Sequence, residues 1–255
     1  MTAHTHIDLT QGAVSGHLVR MAVPMIWGIL SVVSMQLMDV YFISGLGQTQ
    51  LEAISFTFPV NMVLFNLVMG LSIATSSICA RLIGARDMDN LKQFIAHSLI
   101  MGALTGVVLG AMGEILMIPV FHMLGAQEAH LAFILPFMRI SLWGYTFMGL
   151  VLVANAALRA LGDTAVQSGV MILAAAVNIP LSWVLVYGHG GVSAMGTAGA
   201  AAANITSYAI AAIVAISILI FRRRLIDRAH LTVRGFGSSW RRMMVIALPV
   251  GLVNL

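Results

Sequence analysis

Charge is what this sequence has least of. Only 9% of its 255 residues are charged and 60% are hydrophobic, with a mean hydropathy of +0.97; a water-soluble domain of this length cannot cover its surface with so few ionised groups. Cysteine is nearly missing too. The single Cys79 sits in an apolar run, which excludes an intramolecular disulfide framework and a paired-thiolate metal site and leaves a small packing residue. Catalytic signatures are also lacking: there is no G-x-S-x-G, no H-E-x-x-H and no Walker sequence, so enzyme chemistry has no support. What remains is an all-α polytopic membrane protein.

About 20 apolar residues cross the ~30 Å hydrocarbon core. On that measure the chain divides into six complete spans, residues 17–44, 51–80, 94–119, 131–158, 164–187 and 194–221, with 243–255 opening a seventh. Residues 1–16 are expected to form a polar cytoplasmic tail, 17–221 a six-helix lobe, and 222–242 a basic linker. The first apolar run is too long and too interrupted for a cleaved signal peptide, so the first helix is expected to stay in the mature protein. His4 and His6 lie on the tail without further convergent ligands, and no metal site is assigned.

The net charge of +4 does not imply a nucleic-acid partner, because the basic residues lie between apolar segments and not on a soluble face. Connections 45–50, 121–130 and 188–193 carry no Lys or Arg, whereas Arg20, Arg81, Arg86, Lys92, Arg159, Arg222, Arg223, Arg224, Arg228, Arg234, Arg241 and Arg242 fall on the other side. The positive-inside rule then places the amino terminus and these loops in the cytoplasm. The seventh segment also resembles the first starting again. Basic residues precede both Met21-Ala22-Val23-Pro24 and Ile246-Ala247-Leu248-Pro249, with the two prolines 225 residues apart. Six spans followed by a restart is the pattern of a parallel internal repeat.

Asp39 is the only charge in residues 21–44. An ionisable group at that depth costs at least ~2.5 kcal/mol and normally faces a cavity. Its helical face also presents Gln36, Met35, Val32, Ser31 and Gly28, a polar and small stripe suited to water access. The plainer alternative is that Asp39 lies near the outer end of its span and reaches the interface. Pro24 either bends the helix by removing a hydrogen bond or serves as a first-turn residue. In the fifth span Asn178 and Ser182 share a face around Pro180, and in the sixth Asn204, Ser207 and Tyr208 recur at spacings of three and four. These side chains build either a polar pocket or interhelical hydrogen bonds, the second being the usual role of Ser182 and Ser207.

Gly196, Gly199 and the alanines at 200–203 form a surface for close helix packing. Eighteen methionines, with Phe56, Phe58, Phe65 and Phe147, suit adaptable apolar walls. Glu114 and Arg139 lie near outer helix ends, either paired or separately solvated. His97 stands alone, as a structural histidine does.

Several stretches together resemble the multidrug and toxic compound extrusion (MATE) family, particularly its NorM-like members. They are Ala22-Val23-Pro24-Met25-Ile26-Trp27-Gly28, Met38-Asp39-Val40-Tyr41-Phe42, Gly45-Leu46-Gly47, Ile54-Ser55-Phe56-Thr57-Phe58-Pro59, Ala80-Arg81-Leu82-Ile83-Gly84-Ala85, Leu158-Arg159-Ala160-Leu161-Gly162-Asp163-Thr164, Asn178-Ile179-Pro180-Leu181 and Gly196-Thr197-Ala198-Gly199-Ala200-Ala201. The resemblance implies one lobe of a twelve-helix, two-lobe transporter that exports amphipathic, often cationic compounds against an inward flow of H⁺ or Na⁺. It implies no cofactor beyond that coupling ion.

By motif position Asp39 resembles the family's first-helix coupling aspartate, Asn178 a fifth-helix asparagine of the amino-lobe site, and Pro24 the proline at which the first helix bends. Ser182 stands where some members carry a second aspartate, and Asn204 where a threonine is common. Gln36, Met35, Ser182, Asn204 and Tyr208 are the expected cavity residues. The chain has about half the family's length, so a fragment lacking its carboxyl-terminal lobe is expected. Two other readings are a flippase for lipid-linked sugars, which would need several cationic cavity residues for pyrophosphate, and a non-transporting membrane scaffold, which has no use for a buried acid.

Overall fold

A computed structural model describes residues 14–226 and 235–253. His4 and His6 on the expected tail, with Arg228 and Arg234 in the linker, lie outside the described residues. The chain forms helices α1 (Val14–Ser44), α2 (Gln48–Ser55), α3 (Thr57–Gly84), α4 (Met88–Met123), α5 (Glu128–Ala160), α6 (Thr164–Tyr187), α7 (Thr197–Ser217, continued by a π-turn at Ile218–Arg222) and α8 (Phe236–Val253). Six stretches among the described residues are long and apolar enough to cross a membrane, with α2 and α3 counted as one. They match the six spans read from the sequence.

The ends differ from the sequence-based boundaries for local reasons. The second span begins at Gln48 and breaks at Phe56, because Pro59 has no N–H to give the Ser55 carbonyl and its ring crowds that turn. The Thr57 hydroxyl instead bonds the Ile54 carbonyl at 2.7 Å. The third span begins six residues earlier than expected, at Met88, where the Asp87 carboxylate caps the helix by accepting from the Asn90 N–H. α8 begins at Phe236, after Gly235 at φ +86°, so the last part of the expected linker is helical and carries Arg241 and Arg242.

α5 occupies the centre, packed on α3, α4 and α7, while α1 lies on α6, α6 on α7, and α8 on α3. Small residues set these approaches. A Cβ at Gly149 would stand 2.5 Å from the Gly102 carbonyl oxygen, so α4 and α5 meet backbone to backbone. Gly199 does the same for α7, where a Cβ would lie 2.6 Å from the Leu185 backbone; Ala200, Ala201 and Ala203 beside it are fully buried. Gly28 brings α1 against Ser168 of α6.

The main core gathers Ile78, Leu91, Ile95, Ala154, Leu158, Ala215 and Leu219 from α3, α4, α5, α7 and the π-turn, with Met243 of α8. Its residues lie toward the end of the bundle that bears the arginine-rich loops. A second cluster, with Phe121, Ile134, Met138 and Leu142, joins α4 to α5 near the opposite end. Glu114 and Arg139 are paired there, Arg139 Nε donating to Glu114 Oε1 at 2.6 Å. His97 is buried, with Nδ1 3.0 Å from the Ser239 hydroxyl and its ring against Phe236, and so ties α4 to α8. Between the two clusters the bundle opens.

Candidate functional site

The opening is a cavity of about 670 Å³ bounded by α1, α2, α3, α5 and α7. Its walls are apolar and aromatic, with Met35, Phe58, Met62, Phe65, Phe137, Tyr145 and Tyr208 prominent. Phe58 and Met62 are more than half exposed at its mouth. Polar side-chain atoms come from Gln36, Asp39, Thr57, Asn61, Ser141 and Asn204, together with the hydroxyls of Tyr145 and Tyr208.

Asp39 faces this space from α1 with 9% of its surface exposed. The Ser182 hydroxyl donates to Asp39 Oδ1 at 2.7 Å, and the Asn204 side-chain N–H donates to Oδ2 at 2.8 Å. Asn178 Nδ2 in turn donates to Asn204 Oδ1 at 3.1 Å. Four polar residues from three helices therefore form one connected chain. It arises because Asn178 and Ser182, one helical turn apart, point from α6 to where α1 and α7 meet.

The donors to Asp39 are neutral. Among the described residues, no Lys, Arg or His lines the cavity, so the carboxylate has two hydrogen bonds and no counter-ion. Its charge is open to a cation that enters. Asn178 Oδ1, close by, is buried with no hydrogen-bond partner among the described residues. An orphaned buried acceptor costs roughly 1–3 kcal/mol and is satisfied by a donor or a metal cation.

Of the residues singled out from the sequence, Met35, Gln36, Asp39, Asn204 and Tyr208 line the cavity. Ser182 and Asn178, both fully buried, lie behind the wall and act through Asp39 and Asn204. Pro24 is not part of the site. It lies fifteen residues before Asp39 in the same unbroken helix, about 22 Å away at 1.5 Å per residue. Ser31 turns its hydroxyl back to the Trp27 carbonyl, and Ser207 to that of Ala203. Phe58 and Phe65 line the cavity, whereas Phe56 packs on the α4–α5 cluster and Phe147 is not in the wall.

A polar pair escaped the sequence reading. The Tyr145 hydroxyl lies 3.1 Å from both the carbonyl and the side-chain oxygen of Asn61, joining α5 to α3 across the cavity. Its signal was an asparagine in the apolar second span four residues after Thr57, so that both face the same space.

A six-span bundle with a cavity and a buried carboxylate has the architecture of a multi-pass membrane protein with an internal binding space. The chain belongs to the MatE family, whose model matches residues 24–184. It is 33% identical over 238 residues to the FAD transporter of Shewanella oneidensis, a match covering 93% of this chain and 53% of that one. It is 26% identical to the probable multidrug resistance protein YoeA of Bacillus subtilis, over 81% of this chain and 44% of the relative. Among solved structures, an outward-facing multidrug resistance MATE family transporter of the MOP superfamily superposes with a TM-score of 0.86 at 28% identity, over 100% of this chain and 56% of that one. A MOP superfamily transporter from Pyrococcus furiosus gives the same values. The chain spans about half the length of the curated relatives it matches.

Proposed function

We propose that this chain is the amino-terminal lobe of an antiporter that exports amphipathic, often cationic compounds from a bacterial cell across the inner membrane, driven by H⁺ or Na⁺. The observation that carries the reading is Asp39, a carboxylate held only by neutral donors in an aromatic and methionine-rich cavity. A proton, a Na⁺ ion or an organic cation can each neutralise that charge, and only one can do so at a time. That competition is the coupling: ion binding displaces substrate, and substrate binding displaces the ion. Asn178 and Asn204 complete the polar chain around the ion, and no cofactor takes part. The exposed Phe58 and Met62 at the mouth suit closure by a carboxyl-terminal lobe across the cavity.

The FAD transporter relative favours a second reading, in which the substrate is a flavin nucleotide. Its aromatic rings suit the walls. Its pyrophosphate does not suit this cavity, which offers it Asp39 and, among the described residues, no cationic side chain. The same argument weighs against lipid-linked sugars, because Arg139 is engaged by Glu114. In cells expressing the two-lobed protein, ethidium efflux is expected to rise several-fold when an inward H⁺ or Na⁺ gradient is imposed, and excess FAD inside is expected not to slow it. Gradient-driven FAD export with ethidium unmoved would replace the cationic reading by the flavin one.

The topology that goes with this proposal puts the amino terminus and the arginine-rich loops in the cytoplasm. Cysteines placed at Gln48 or Gln127 are expected to react with an impermeant thiol reagent outside intact cells, and those at Asn90 or Ser238 are not. The native Cys79 is fully buried and gives little background. The reverse labelling pattern would invert the topology.

A further inference from the structure

We propose that a groove between the basic end of α3 and the first turns of α8 binds the phosphate group of an anionic phospholipid. The groove encloses about 700 Å³ at the edge of the main core, with which it shares Ile78, and it has no lining residue in common with the Asp39 cavity. Arg81 from the last turn of α3 and Arg241 and Arg242 from α8 line it. All three are exposed. Among the described residues they have no hydrogen-bond or ion-pair partner, whereas Arg139, Arg159 and Arg223 engage Glu114, Ser72 and Asp163.

Three converging guanidinium groups without acids select an anion with several oxygens, and phosphate matches the guanidinium fork. Ser238, also in the wall, belongs to the first turn of α8, where the helix dipole favours negative charge. The Ser238 hydroxyl donates to the Gly235 carbonyl, so the site's charge comes from the arginines and the helix end. The remaining walls are Ile78, Leu82, Val245 and Ile246. On α3, Ile78 and Leu82 flank Arg81; on α8, Val245 and Ile246 each lie four residues after an arginine, so each helix turns one charged and one apolar step into the groove.

A soluble phosphate gains nothing from those apolar walls. A lipid gains twice, with its phosphate at the arginines and its acyl chain along the walls, at the end of a span where headgroups lie. The inference does not depend on what the Asp39 cavity carries.

The test is native mass spectrometry of the purified chain in neutral detergent, titrated with phosphatidylglycerol or with phosphatidylcholine of the same acyl chains. One arginine near an anionic headgroup is worth about a fivefold preference. Phosphatidylglycerol is therefore expected to bind at least about tenfold more tightly than phosphatidylcholine. The Arg81→Gln, Arg241→Gln, Arg242→Gln triple variant is expected to lose that preference, and the three Arg→Lys changes to keep most of it. Circular dichroism melting checks that the triple variant is folded; if it is not, Arg81→Gln alone is expected to reduce the preference about fivefold. Equal binding of the two lipids, or a preference unchanged in the folded variant, would overturn the proposal. Full competition by millimolar glycerol phosphate would also overturn it, by showing a site for soluble phosphate esters.

Discussion

Cells expressing residues 1–255 alone are expected to retain a cationic dye at the level of untransformed cells, and cells that also express a carboxyl-terminal half are expected to expel it. The expectation is all-or-none because alternating access in repeat-built transporters rocks one bundle against another around a fixed site. Here one bundle is present, with its cavity open where Phe58 and Met62 lie exposed. The six spans can insert and pack without the second lobe. Each helix satisfies its own backbone, and the contacts through Gly102, Gly149 and Gly199 lie within the lobe. α8, read from the sequence as a restart of the α1 pattern with Pro249 in the place of Pro24, packs on α3. A second lobe is therefore expected to attach there. Dye efflux measured in the two strains checks this, with protein levels matched by immunoblot. Strong efflux from the short chain alone would mean that two copies form a symmetric transporter.

The six spans were legible because hydrocarbon thickness imposes a length that few other constraints mimic. Their ends were less so. The start of α4 at Met88 depends on a single capping carboxylate, Asp87, which hydropathy ignores. The break at Phe56 depends on Pro59 withholding one N–H from an otherwise uniform apolar run. α8 reaches back to Phe236 because a helix tolerates Arg241 and Arg242 on one face once its apolar face packs on α3. Which helix lies at the centre was not legible. α4, α5 and α6 are similarly apolar, and the placement of α5 comes from small residues such as Gly144 and Gly149 meeting particular partners.

The site was more legible than the packing. A carboxylate at membrane depth is costly enough to mark Asp39 without any neighbour. Helical spacing then added Met35 and Gln36 on α1, and Asn204 with Tyr208 on α7. Spacing alone could not say that Ser182 and Asn204 would hold opposite oxygens of the same carboxylate, since that depends on how α1, α6 and α7 cross. Ser182 read as interhelical hydrogen bonding or as cavity, and in the structure its hydroxyl bonds Asp39 of another helix at the cavity. Asn61 and Tyr145 were passed over because the helical phase restarts at Phe56 and the aromatic run around Tyr145 looks like ordinary core.

Asp39→Asn is expected to leave expression and helix packing close to those of the parent protein and to remove gradient-driven efflux. An asparagine keeps the size of the side chain, and its carbonyl oxygen can still accept from Ser182 or Asn204. What it cannot do is carry a negative charge. Asn178 and Asn204 would remain as neutral groups, able to support a wall but not to exchange a proton or Na⁺ for a cationic substrate. The loss is therefore expected in coupling, on the order of a hundredfold or more in gradient-driven rate. That corresponds to about 2.7 kcal/mol or more at 1.36 kcal/mol per tenfold. Dye binding to a stationary protein can persist, because the aromatic and methionine walls are untouched.

The most direct measurement of the central claim is dye efflux from membrane vesicles holding the two-lobed protein, wild type against Asp39→Asn, with a pH gradient alone and then a Na⁺ gradient alone. The account predicts efflux by the wild type under one of the two gradients, which names the coupling ion, and background efflux by the variant under both. Undiminished gradient-driven efflux by Asp39→Asn would contradict it.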